Sequence, residues 1–174
     1  SKYLTSSISL AAAGDYIQFP SNQNLGLGTG DFTLEAWVYW TGGAFSGGNG
    51  AGIIAMRDDV TASSVILFIN RSNGNVRVYD GPANTSYEGT AISQNTWHHV
   101  AVTRQGTTWR IFKDGTQGNT WTSSSDLGSS RQMFIGRLVN GTAYNFVGYI
   151  SDARVTKGLA RYTANFTPPT AALQ

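Results

Sequence analysis

TWHHVAVTRQGTTWRIFKDGT, residues 96–116, reads as two β-strands around a short turn at Gln105-Gly106-Thr107, followed by a second turn at Asp114-Gly115. Side chains alternate along a strand, so Trp97, His99 and Ala101 fall on one face and His98, Val100 and Val102 on the other. Beyond the turn, Trp109 and Ile111 alternate with Arg110 and Phe112. Neither face is plainly wet. Asp-Gly readily adopts the positive backbone angles that a tight hairpin needs. A hairpin that is apolar on both faces belongs in the middle of a layered β structure, with the other segments adding strands to it.

Outward from this hairpin the same alternation recurs. DFTLEAWVYWT, residues 31–41, is the longest strand candidate, with Phe32, Leu34, Ala36 and Val38 on a core face and Thr33, Glu35, Trp37 and Tyr39 opposite. Residues 7–10 and 16–19 read as a first pair of short strands joined through Ala13-Gly14-Asp15. Residues 53–56, 65–70 and 76–79 follow as strands, the last two linked by the hairpin signal Asn73-Gly74. Residues 87–92 lead into the central hairpin, and the Ser/Thr-rich residues 116–125 read as an edge strand. Residues 133–139 and 146–156 close the set, joined through Asn140-Gly141. Residues 158–165 have room for one helical turn around Leu159 and Tyr162, and Pro168-Pro169 ends the ordered body. About a dozen short strands at roughly 8–12-residue spacing predict an all-β sandwich, one domain over residues 1–174.

Composition narrows the function classes. With no cysteine there is neither a disulfide framework nor a Cys-based metal site. Charged residues are 13% of the chain and the net charge is +2, with no run of Lys or Arg to track a phosphate backbone, so no nucleic-acid partner is expected. No stretch is long and apolar enough to insert in a membrane. The opening SKYLTSSISL has no long apolar run, as in a mature start or a segment of a longer protein. The Gly-, Ser-, Thr- and Asn-rich surface leans toward secreted or virion β proteins.

Three segments together resemble a known family: GDFTLEAWVYW at 30–40, TWHHVAVTRQGTTWRIFKDG at 96–115, and FIGR at 134–137 with GYISDARVTKGLARYTANFTPP at 148–169. Their order and spacing are similar to the concanavalin A-like lectin/glucanase superfamily, in its laminin-G-like branch. The closing segment is similar to modules of phage tail and other virion proteins and of large bacterial surface proteins. The resemblance implies a jelly-roll sandwich of two curved antiparallel sheets, and an extracellular or virion-surface module attached to a larger protein. It also implies a glycan or cell-surface polysaccharide as partner, and often a calcium ion. Some members are glycoside hydrolases, so that chemistry needs its own test.

A retaining hydrolase holds two carboxyls about 5–5.5 Å apart. This chain has two glutamates, Glu35 and Glu88, neither with a carboxylate two to five residues away on its strand, and the adjacent Asp58 and Asp59 would face opposite ways. Catalysis is therefore not expected. His98 and His99 are neighbours on a strand and cannot chelate one ion, so each reads as a packed or hydrogen-bonded sheet residue. Calcium needs several oxygen ligands. Asp15 and Asp152 could meet if the chain termini lie together, although Asp152 could equally cap a turn or pair with Arg154. Aromatic rings stack on sugar faces while amides and charged groups read hydroxyls. The candidate glycan contacts are Trp40, Tyr79, Tyr87, Trp121 and Tyr144 near strand ends, with Arg57, Asp58, Asn84, Asn140 and Asn145 in loops beside them. Trp121, inside the polar run GNTWTSSS, is the ring expected to be exposed, whereas Trp37, Trp97 and Trp109 read as core or sheet-covering groups. The opposing reading is a structural or protein-interaction module with no small ligand.

Overall fold

A computed structural model describes residues 2, 6–12, 14–43, 50–57, 64–138 and 144–173. Two six-stranded antiparallel sheets pack face to face as a jelly-roll sandwich. The first sheet runs β1 (Ile8–Leu10), β12 (Gly148–Lys157), β3 (Phe32–Trp40), β8 (Trp97–Gln105), β9 (Thr108–Lys113) and β10 (Thr116–Thr122). The second runs β2 (Ile17–Asn22), β11 (Arg131–Ile135), β4 (Gly50–Arg57), β5 (Val65–Asn70), β6 (Asn75–Asp80) and β7 (Thr85–Ala91). Among the described residues no helix is long and apolar enough to cross a membrane; a single 3-10 turn spans Gln23–Leu25.

The central hairpin is β8–β9, fourth and fifth in its sheet, with β10 at the edge as its composition predicts. Asp114 and Gly115 both take positive φ, 49° and 77°, the pairing that lets a two-residue turn follow the twist of its strands. β3 sends Phe32, Leu34, Ala36, Val38 and Trp40 between the sheets, where they meet Ile54, Met56, Leu67, Val78 and Trp109.

Three expectations need correction. β1 and β2 are not a pair: β1 adds to β12 in the first sheet and β2 to β11 in the second. β11 and β12 likewise lie in different sheets, so the chain crosses the sandwich between them. Alternation assigns a side chain to a face, but it carries no information on which sheet a short strand joins. Residues 158–165 form no helical turn; they run as an irregular strap over the outer face of the first sheet.

Under that strap Thr33, Glu35 and Trp37, on the outer face of β3, are closed to water. Tyr162 and Phe166 stack at 3.6 Å, and both rings pack edge-on against His99 and Phe112. The outer face of the second sheet carries instead a smaller apolar cluster of Ala55, Ile66, Phe68, Phe134 and Leu138, with Tyr79 and Tyr144 partly buried against it.

Candidate functional site

The second sheet's outer face follows from alternation in β5 and β6. In NVRVYD, residues 75–80, Val76 and Val78 turn into the core, which leaves Arg77 and Tyr79 outward. Arg77 pairs in register with Phe68 on one side and Glu88 on the other. Tyr79 pairs with Ile66 and Ser86. Arg137 and Leu138, just after β11, lie across this face because β4 has glycines there. A Cβ at Gly52 would sit 2.3 Å from the carbonyl carbon of Arg137, and one at Gly50 would sit 2.3 Å from Leu138 Cδ1. Arg57 Nη1 donates to the Leu138 carbonyl over 3.2 Å, and Arg71 donates to the Asn145 carbonyl. Arg137 lies 3.9 Å from the Tyr16 ring centroid and 5.2 Å from that of Phe134.

The result is a cavity of 320 Å³ with Ile66, Phe68 and Leu138 as apolar lining, Tyr79 and Tyr144 as aromatic lining, and Arg77 and Ser86 as polar groups. Its volume falls at the small end of the range of about 300–1,000 Å³ for ligand pockets. Its polar groups are fixed. Arg77 Nε lies 3.2 Å from Glu88 Oε1, and the guanidinium stands 5.6 Å from the Phe68 ring. Asn70 Nδ2 and Asn75 Nδ2 donate to the two Glu88 oxygens over 2.9 and 3.1 Å. Those two hydrogen bonds, with the charge of Arg77, hold the Glu88 carboxyl below the usual glutamate range. The Tyr79 hydroxyl donates to Asn84 Oδ1 over 2.9 Å.

The expected glycan residues are thus partly gathered. Tyr79 and Tyr144 line the cavity, Arg57 braces its wall, and Asn84 orients Tyr79. Asn145, next to Tyr144, is fully buried and its side-chain amide makes no hydrogen bond among the described residues. Trp40 is a correction, being 2% exposed in the core. Trp121 is another: it is 8% exposed and stacks on Tyr87 at 4.1 Å and 11°, with Trp109 behind it at 5.4 Å. Polar neighbours mislead here, because in β10 they alternate outward while the tryptophan alone turns in. Tyr87, pressed on Trp121 from β7, goes with it to the core side. Asp58 and Asn140 lie outside the described residues. Arg77, Phe68, Ser86 and Glu88 are the residues that sequence reading missed. The signal for Arg77 was present in the Val-Arg-Val-Tyr alternation.

Asp15 and Asp152 do not come together. Asp15 Oδ2 accepts the Ala11 and Ala12 amides beyond one end of β1, whereas Asp152 shares a recess with Ser6 and Ser7 at the other end. Asp152 Oδ1 accepts the Leu173 amide. The pair does not build the oxygen cage that calcium requires, and among the described residues no three His, Cys, Asp or Glu side chains cluster to hold a metal.

The two glutamates are separated still further. Glu88 faces outward from the second sheet, while Glu35 faces outward from the first, fully buried beneath the strap. Two sheets about 10 Å apart lie between them, incompatible with a paired-carboxylate mechanism. Glu35 accepts from Arg154 Nε and Nη2 at 2.9 and 2.8 Å, from the Tyr162 hydroxyl at 2.8 Å, and lies 3.1 Å from His99 Nε2. His98 points the other way, 2.7 Å from Asp114 Oδ2 and 2.8 Å from Ser93 Oγ. Each histidine is a hydrogen-bonded sheet residue.

Comparison with known proteins agrees with this architecture. A laminin G model described as the concanavalin A-like lectin/glucanases superfamily matches residues 11–160. No curated protein sequence matches the chain. Domain 4 of an extracellular GH43 arabinanase from Geobacillus stearothermophilus, in complex with arabinotriose, superposes with a TM-score of 0.68 at 17% identity, covering 88% of this chain and 71% of that one. The CBM40 of a Ruminococcus gnavus IT-sialidase, bound to α2,3-sialyllactose, gives 0.64 at 13%, covering 91% and 92%. Domains LG4-5 of the mouse laminin α1 chain give 0.64 at 11%, covering 87% of this chain and 41% of that one. At such identities the likeness is one of fold.

Proposed function

The chain belongs to the concanavalin A-like lectin/glucanases superfamily, and from that premise we propose that it is a non-catalytic carbohydrate-binding module whose glycan sits in the Tyr79–Tyr144 cavity. The observation that carries the reading is the juxtaposition of two partly buried tyrosines and Arg77 around an apolar lining, with Glu88 ion-paired to Arg77 beside it. A sugar has apolar faces and a hydroxyl rim; tyrosine rings meet the first and fixed donors and acceptors the second. The sugar-bound arabinanase domain and CBM40 among its structural neighbours support the same reading, and the extracellular source of the former supports a place outside the cell. The separation of Glu35 from Glu88 supports the absence of hydrolysis.

The test is a glycan array followed by titration calorimetry with wild type, Tyr144→Ala and Tyr79→Ala. Each substitution weakens binding by about 1–2 kcal/mol, roughly tenfold, with the far-UV spectrum and melting temperature little changed. Unaltered affinity in both variants removes the site from this cavity. A protein-interaction module is the second reading, favoured by edge strand β2, which is exposed along its length and presents Ile17 at 36% and Phe19 at 40% exposure. A folded protein that binds no glycan but self-associates in sedimentation would bring that reading forward.

A further inference from the structure

The polar groups beside the cavity form a matched donor and acceptor rather than a field of one sign. Arg77 and Glu88 are cross-strand partners, with side chains 27% and 39% exposed, so both reach solvent from the same patch. Glu88 cannot swing aside, because Asn70 and Asn75 grip one oxygen each. The other guanidiniums of this face are committed elsewhere. Arg57 and Arg71 donate to backbone carbonyls, and Arg137, 8% exposed, lies over Tyr16.

We infer that the cavity takes a neutral sugar of one or two rings, read through two neighbouring hydroxyls, and turns carboxylated sugars away. The inference rests on the glycan reading of this cavity and adds the ligand's charge and length to it. One ligand hydroxyl donates to Glu88 and the next accepts from Arg77, each a hydrogen bond to a charged group of about twice the ordinary strength. An incoming carboxylate would have to compete with Glu88 for Arg77 while lying beside a like charge held in place. The cavity, 320 Å³ and open to solvent, contacts one or two rings, and any further ring of a longer oligomer lies outside its lining.

The experiment titrates the full chain with lactose, 3′-sialyllactose, arabinobiose, arabinotriose and a galacturonic acid dimer, at about 0.05 and about 0.5 M NaCl, after an array has chosen the best neutral probe. Neutral probes are expected to bind, with affinity shifting less than about twofold across that salt range and with no gain beyond two rings. Glu88→Gln, nearly isosteric, lowers neutral-sugar affinity about tenfold; Arg77→Gln does the same. Binding confined to the carboxylated probes, strengthened by Glu88→Gln, overturns the inference and leaves carbohydrate binding standing. Neutral binding indifferent to both substitutions and to Tyr144→Ala overturns it by moving the ligand elsewhere. A folded protein that binds no saccharide of either kind overturns the glycan reading together with it.

Discussion

Glu35 shows how much a single side chain can depend on the rest of the chain. Burial alone would raise its pKa, but hydrogen bonds from His99, Tyr162 and Arg154 outweigh that cost and hold the carboxyl below its usual range. A folded pKa depressed below the unfolded value stabilises at pH above the unfolded value of 4.5, and the contribution is lost as pH falls through the folded one. Tyr162 shifts the opposite way, pushed up by burial and by its bond to Glu35. Its contribution is therefore present below the unfolded value of 10.0 and lost as pH rises through the folded one. Glu35→Gln should cost on the order of 3 kcal/mol at neutral pH, since it strips Arg154 of a buried partner. It should also flatten the acid limb of stability against pH, read by urea denaturation from about pH 3 to pH 8. Parallel curves for variant and wild type would sink the assignment. The sequence places Glu35 on the face of its strand opposite the core, but its partners stand 64, 119 and 127 residues away, and no local pattern announces them.

At the scale of elements, strands are legible and their grouping is not. Alternation located β3, β8 and β9, and Asn73-Gly74 and Asp114-Gly115 located two hairpins. The sheet that β2 and β11 join is decided by strands far away, and β10, placed correctly at an edge, is misread at one residue. β10 is the sharpest case. Its exposed positions are polar for the reason any edge strand's are, so a polar run says nothing about the one residue that points inward. Trp121 closes the end of the core with Tyr87 and Trp109. Trp121→Ala should therefore cost about 3–5 kcal/mol in chemical denaturation, while glycan affinity per folded molecule stays within about twofold. The reverse result, lost binding at unchanged stability, would restore the exposed tryptophan that the composition suggests and discredit the Tyr79–Tyr144 cavity.

For the whole molecule, what matters is that the sandwich's two outer faces are treated differently. The strap over the first sheet has no periodic signature, because its polar backbone is satisfied by the sheet's own side chains and turns. Thr33 Oγ1 donates to the Leu159 carbonyl and accepts the Arg161 amide, Thr103 Oγ1 donates to the Tyr162 carbonyl, and the Phe166 amide donates to Gly115. Gly115 has to be glycine twice over: its φ is positive, and a Cβ there would sit 1.8 Å from the Phe166 carbonyl oxygen. The strap covers only part of that face, since Tyr39, Trp97 and Tyr149 pack together outside it with Tyr149 41% exposed; the cavity lies on the second sheet's outer face, and the core lies between the two. The division makes the faces separable by mutation. Phe166→Ala removes half of the Tyr162–Phe166 stack and should cost about 2–3 kcal/mol. Amide exchange should speed up first at Gln117 and Phe166, whose N–H groups bond across the strap. Glycan affinity should not follow, since two sheets stand between the strap and Tyr144. Affinity that fell in step with strap exchange would mean that the faces are coupled through the core, and that the strap regulates the cavity rather than only covering the opposite sheet.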